Sequence, residues 1–164
     1  MSQASTLAAK ATENVLRAAN LSSNAAQSLK VQFERSAQGS AAGWHGANDI
    51  QTLSGLEGRF LWAEDLFAIR TISFTFDPGT IGFQGRYNLS TGFMVVEEGI
   101  FHCVPNNPAI GFAAITLVPA SGAATRTFRV TGMFTDPEWR IYVAMLDKLG
   151  QNGPVPMMSM TRIA

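Results

Sequence analysis

The chain contains a single cysteine, Cys103, which excludes an internal disulfide and a cysteine-built zinc cage. Charge is scarce as well: Asp, Glu, Lys and Arg make up 15% of the 164 residues, against about a quarter in typical domains. Basic and acidic residues number 12 each, so the formal net charge is zero. There is no basic field to hold a phosphate backbone, which argues against a nucleic-acid partner. With only His45 and His102 as histidines, no metal-ligand spacing exists, and neither a metal nor a cofactor is expected. No Gly-x-Ser-x-Gly, phosphate-binding glycine loop or dinucleotide fingerprint occurs, so nothing marks an enzyme. No run approaches the roughly 18 apolar residues of a membrane-spanning helix. The first ten residues lack the basic-then-apolar order of a signal peptide. The expectation is a soluble protein, cytoplasmic or exported without a signal peptide.

What is present is an ordinary apolar fraction, 46%, in a chain long enough to bury its own core as one domain. Residues 4–35 carry a helical pattern. Leu7, Ala11, Val15, Ala18, Leu21, Ala25, Leu29 and Phe33 recur at steps of three and four, with polar residues elsewhere around the wheel. Asn20-Leu-Ser-Ser-Asn24 is the weak point, so one helix and a helical hairpin both fit. The alanine-rich stripe suits packing on protein. Residues 37–58, rich in Gly, Ser and Ala, read as a linker between this helical segment (1–36) and a β-domain (59–164).

From Arg59 the period changes to two. Short alternating runs are punctuated by Asp77-Pro-Gly-Thr80, Pro105-Asn-Asn-Pro108, Pro119-Ala-Ser-Gly122, Thr135-Asp-Pro-Glu138 and Gln151-Asn-Gly-Pro154. Arg126, Phe128, Val130 and Phe134 fall on one face of their run, and Trp139, Ile141, Val143 and Met145 on one face of the next. Arg59–Arg70 fits helix or strand, with strand favoured from about Leu66. The fold class that follows is mainly β: an antiparallel β-sandwich or small β-barrel of about seven to eight strands, with an N-terminal amphipathic helix or helical hairpin.

The central stretch is Gly92–Val104. Glu97-Glu98-Gly99 fits a three-residue hairpin loop, which would pair Val96 with Ile100 and Met94 with His102. Both faces of that hairpin are apolar, and Ile110–Val118 behaves alike, so cover on both sides is expected, with the helix stripe as the nearest candidate. His102 and Cys103 are adjacent on a strand and so point to opposite faces, which rules out a nucleophile pair. Glu97 and Glu98, placed at a turn, read as solvated acids. Candidate binding residues are Met94, Val96, Ile100 and His102 on the second face, together with Trp44 and His45 in the unusual Trp44-His-Gly-Ala-Asn-Asp49 loop.

The leading functional expectation is a non-enzymatic protein-interaction or self-assembly module, a homo-oligomer or one member of a protein pair. Low charge and zero net charge leave such a chain poorly protected against association. An alternative is a β-barrel that binds a small apolar ligand. Another is membrane activity: an amphipathic N-terminal helix joined to a β-domain resembles the layout of actinoporin-like pore-forming proteins, which implies insertion by the helix.

Overall fold

Alternation builds the strands directly. Along Gln84–Thr91, Gly85, Tyr87 and Leu89 are buried while Arg86 and Asn88 are exposed. A computed structural model describes residues 44–65, 68–77, 84–106, 109, 111–135, 138–139, 142–150, 155–156 and 160–163. Its strands are β1 (Trp44–Gly46), β2 (Gly58–Asp65), β3 (Ala68–Phe76), β4 (Gln84–Thr91), β5 (Met94–Val104), β6 (Ala113–Pro119), β7 (Arg126–Thr135), β8 (Tyr142–Leu149), β9 (Val155–Pro156) and β10 (Met160–Arg162). The helix expected over residues 4–35 lies outside the described residues. Among the described residues no helix is long and apolar enough to cross a membrane.

From β2 to β8 each strand pairs antiparallel with the next. β10 then pairs with both β8 and β2, so the sheet closes on itself as an eight-stranded barrel. Of the two architectures expected, this is the barrel. Among the described residues closure leaves no long open edge, since β1 and β9 merely extend the ladders of β7 and β8.

An eight-stranded barrel is just wide enough for side chains to fill. Here rings fill it. Phe74 meets Phe60, Trp62 and Phe101 edge-on, with centroids 5.8, 6.2 and 4.9 Å apart. Trp62 meets Phe128 at 5.0 Å and Phe60 meets Tyr142 at 5.4 Å, also edge-on. Such contacts add about 0.5–1.5 kcal/mol each beyond area burial. Cys103 sits in this cluster, buried, and burial pushes its thiol up. His102, its neighbour, is exposed, as strand geometry requires.

One end of the barrel is plugged. Ile50, Leu53 and Leu56 are buried in the core cluster, and Ile50 O accepts the Asn106 backbone N–H at 3.0 Å. Trp139 packs over Gly55 and against Tyr142. The later part of the expected linker is therefore part of the fold. Its Gly and Ser residues mask three apolar side chains spaced to reach a common core. Residues 58–65 are strand as well, ahead of the expected start at Leu66.

Three local readings need correction. First, Glu97-Glu98-Gly99 is not a turn. The β4–β5 turn lies at Gly92 (φ 60°), and β5 runs unbroken through all three residues. Gly99 serves close packing instead: a Cβ there would overlap the Val118 carbonyl oxygen of β6. Second, a bulge between Val130 and Gly132 turns Met133, rather than Phe134, onto the face of Arg126, Phe128 and Val130. Third, the core face of β8 is Tyr142, Ala144 and Leu146, opposite to the face read from Val143 and Met145. Gly99→Ala is expected to cost about 2 kcal/mol through overpacking between β5 and β6, read as a lowered urea midpoint with an unchanged slope.

The cover expected on β5 from residues 4–35 lies outside the described residues, and among the described residues nothing packs on its outer face. Met94, Val95, Val96, Ile100 and Val104 are 70, 52, 45, 41 and 37% exposed, and Phe93 is fully exposed. One face of β5 is core and the other meets water. The continuous apolar run reads as doubly covered, and among the described residues only one of its faces is.

Candidate functional site

The end of the barrel away from the plug is built by the same alternation. Inward positions run Phe60, Trp62, Glu64 on β2 and Val130, Phe128, Arg126 on β7. On β5 they run Cys103, Phe101, Gly99, Glu97, and on β8 Ala144, Leu146, Lys148. Each inward row therefore ends in a charged residue at the open rim.

There the charges meet. Arg126 Nη2 donates to Glu97 Oε2 at 2.8 Å and to Glu64 Oε1 at 3.2 Å, and Nη1 donates to Glu97 Oε1 at 3.2 Å. Its Nε lies 2.6 Å from Glu64 Oε2 but is poorly aligned for a hydrogen bond, so that contact is mainly Coulombic. Lys148 Nζ donates to Glu64 Oε2 at 3.0 Å, Trp62 Nε1 to Glu64 Oε1 at 3.1 Å, and Tyr87 OH to Glu97 Oε2 at 2.8 Å. The Arg126, Glu64 and Glu97 side chains are only 15, 16 and 18% exposed.

Burial pushes the Glu64 carboxyl up, but hydrogen bonds from Trp62, Arg126 and Lys148, with the Arg126 charge, outweigh it and hold the group below its ordinary value. Burial pulls the Arg126 guanidinium down, and the two carboxylates more than reverse this. Tyr87 is pushed up by burial and then by its acceptor Glu97. Two positive and two negative side chains thus balance. A group poised to exchange a proton near neutrality is what acid–base catalysis needs, and Glu64, Arg126 and Tyr87 are all driven away from that range. The cluster is a polar tie across the rim. It holds β2, β5, β7 and β8 together over the aromatic core.

It also anchors what projects beyond it. Glu97 pairs with Leu89 and Val95 with Ser90, so Val96 is an extra residue in a bulge. The bulge breaks alternation, and Val95 and Val96 both lie on the outer side, immediately before the tied Glu97. The result is a hairpin tip, Phe93 to Val96, without a charge, carried on a charged and pinned base.

Of the candidate residues read from sequence, Val96, Ile100 and His102 share the outer row of β5, and Met94 stands at its tip. Trp44 and His45 do not join them. They lie on β1, which pairs with Phe134 and Met133 toward the plugged end. Sequence reasoning missed Glu64, Arg126 and Lys148, and took Glu97 as solvated. The signal available was Arg126 itself, an arginine in phase with Phe128 and Val130. Among the described residues no group of His, Cys, Asp and Glu is placed to hold a metal ion. Fold and rim define an antiparallel β-barrel with a charge-balanced mouth and an apolar hairpin. Comparison with protein-family models, curated proteins and solved structures gives no match for this chain.

Proposed function

We propose that this chain is a non-enzymatic interaction module that assembles with itself through the outer face of β5 and the β4–β5 hairpin tip. The observation that carries the reading is the exposed run Phe93-Met-Val-Val96, continued by Ile100 and Val104. Consecutive exposed apolar residues on a strand are a liability unless they are used, and contiguous apolar surface marks contact sites. Zero net charge adds little repulsion against a second copy.

Light scattering of the full chain over a concentration series tests this, with particles larger than a monomer expected. Replacing Phe93 and Met94 together by Ser changes only exposed positions and is expected to shift the equilibrium toward monomer by about tenfold or more. A strict monomer at high concentration overturns the reading. A second reading, contact with a lipid surface, is favoured by one observation: the tip from Ser90 to Val96 has no charge to desolvate. It rests on the hairpin rather than on residues 4–35. Co-sedimentation with vesicles tests it, and vesicles that leave all protein in the supernatant remove it. The edge-to-face rings filling the interior favour a packed core over an apolar-ligand chamber.

A further inference from the structure

We infer that two copies of the chain stack face to face along β5, antiparallel, about a two-fold axis through Ile100. This rests on the self-assembly reading above and specifies its geometry. The outer row of β5, read from tip to base, is Val96, Glu98, Ile100, His102, Val104, set outward by the inward positions of Glu97, Gly99, Phe101 and Cys103. Reversed, the row is complementary to itself. With Ile100 on the axis, Ile100 meets its own copy, Glu98 meets His102 of the other copy, and Val96 meets Val104. Apolar faces apolar at the centre and both ends, and between them a carboxylate faces an imidazole N–H donor. No other register does this: moving the axis to Glu98 sets two carboxylates against each other, and moving it to His102 leaves Glu98 without its donor. A two-fold contact demands such self-complementarity, because every pair across it occurs twice.

The flanks are compatible. On β6, Ala114, Thr116 and Val118 lie beside Val104, His102 and Ile100 and bring no charge. On β4, Gln84, Arg86 and Asn88 lie beside His102, Ile100 and Glu98. Among the described residues Arg86 is the one cation near the axis. Its Nε pairs with Asp77 at 3.2 Å within its own chain, and its side chain is 71% exposed, so it can lie away from its symmetry mate. Stacked sheets cross at roughly 30°, which keeps the central pairs in register and displaces only the terminal valines, where apolar contact tolerates it. The surface of a barrel is convex, so contact is concentrated along this row and the dimer is a reversible one.

Sedimentation velocity on the full chain tests the geometry with exposed substitutions, circular dichroism serving to show that each variant keeps its β-structure. Ile100→Glu sets two carboxylates against each other on the axis and is expected to raise the dimer dissociation constant about a hundredfold. His102→Glu, which faces Glu98, is expected to raise it about tenfold. Adding Glu98→His to His102→Glu rebuilds the pair in reverse and is expected to return the constant to within about threefold of the wild type. Assembly that ignores Ile100→Glu, or a double variant no better than His102→Glu, overturns this geometry while leaving self-assembly standing. A strictly monomeric wild type overturns both, and if that monomer co-sediments with neutral phosphatidylcholine vesicles the occupant of the face is lipid.

Discussion

Arg126→Ala is expected to lower stability by about 3 kcal/mol at pH 7, read as a reduced urea midpoint with unchanged slope. The guanidinium lies between Glu64 and Glu97 and donates to both. Without it two poorly hydrated carboxylates face each other over an aromatic core, and Lys148, 42% exposed and bonded among the described residues only to Glu64, does not replace it. The pH dependence gives the sign. Glu64 is held below its ordinary value in the folded wild type, so its contribution is fully present above the ordinary carboxylate range and fades as pH falls through the folded value. In the variant the balance reverses, because acid neutralises one of the opposed carboxylates and relieves their repulsion. The stability gap between wild type and variant is therefore expected to narrow as pH falls from 7 toward about 4. Replacing the triad together, Glu64→Gln, Glu97→Gln and Arg126→Met, removes the uncompensated charge and is expected to cost far less than Arg126→Ala alone. If the triple and single variants lose the same amount, the cluster acts by packing rather than by charge.

Phe74→Ala is expected to cost about 3–5 kcal/mol, the range for truncating a buried aromatic. Phe74 is buried and touches Phe60, Trp62 and Phe101, so the cavity would open between three rings that are each held by further neighbours and cannot easily collapse. Calorimetry reads the loss as a fall in Tm, and Phe74→Leu, which refills most of the space, is expected to recover much of it. A loss below about 1 kcal/mol for Phe74→Ala would show that the interior relaxes around the gap.

The strands are legible in the sequence where one face meets water and the other meets core. Gln84–Thr91 and Arg126–Val130 show this period plainly, and the antiparallel all-β class follows from it, while the choice of closed barrel over sandwich does not. The errors arise where the residue signal is ambiguous. Gly99 after two acids has the composition of a turn, yet its missing Cβ is needed by the carbonyl of Val118, from a strand that single-sequence reading cannot align. The bulge at Val130 and Gly132 shifts a face by one residue with no compositional mark. The rim network was invisible for a related reason. Arg126 reaches Glu97 29 residues away and Glu64 62 residues away, and Lys148 reaches Glu64 across 84. Such pairs appear only when the barrel closes. The sequence groups Met94, Val96, Ile100 and His102 across a hairpin; in the structure Val96, Ile100 and His102 instead follow one another along β5, with Met94 beyond the bulge at Val96. Trp44 and His45 were grouped with them on rarity rather than on any spacing that connects them.

The closure of the sheet has a consequence for how the chain reaches its fold. Neighbouring strands from β2 to β8 meet in sequence order, and each new pairing needs only a short loop to close. The seam is different: Phe60 pairs with Arg162, about a hundred residues along, and Trp62 with Met160. That joint carries the largest loop-closure entropy in the molecule and gains few hydrogen bonds, because β10 is only 3 residues long. Sealing β2 to β10 is therefore expected to be a late step in folding, after the neighbouring strands have paired. Until then the wet row on β5 is only one of several sticky surfaces, and after it the row is the principal one among the described residues.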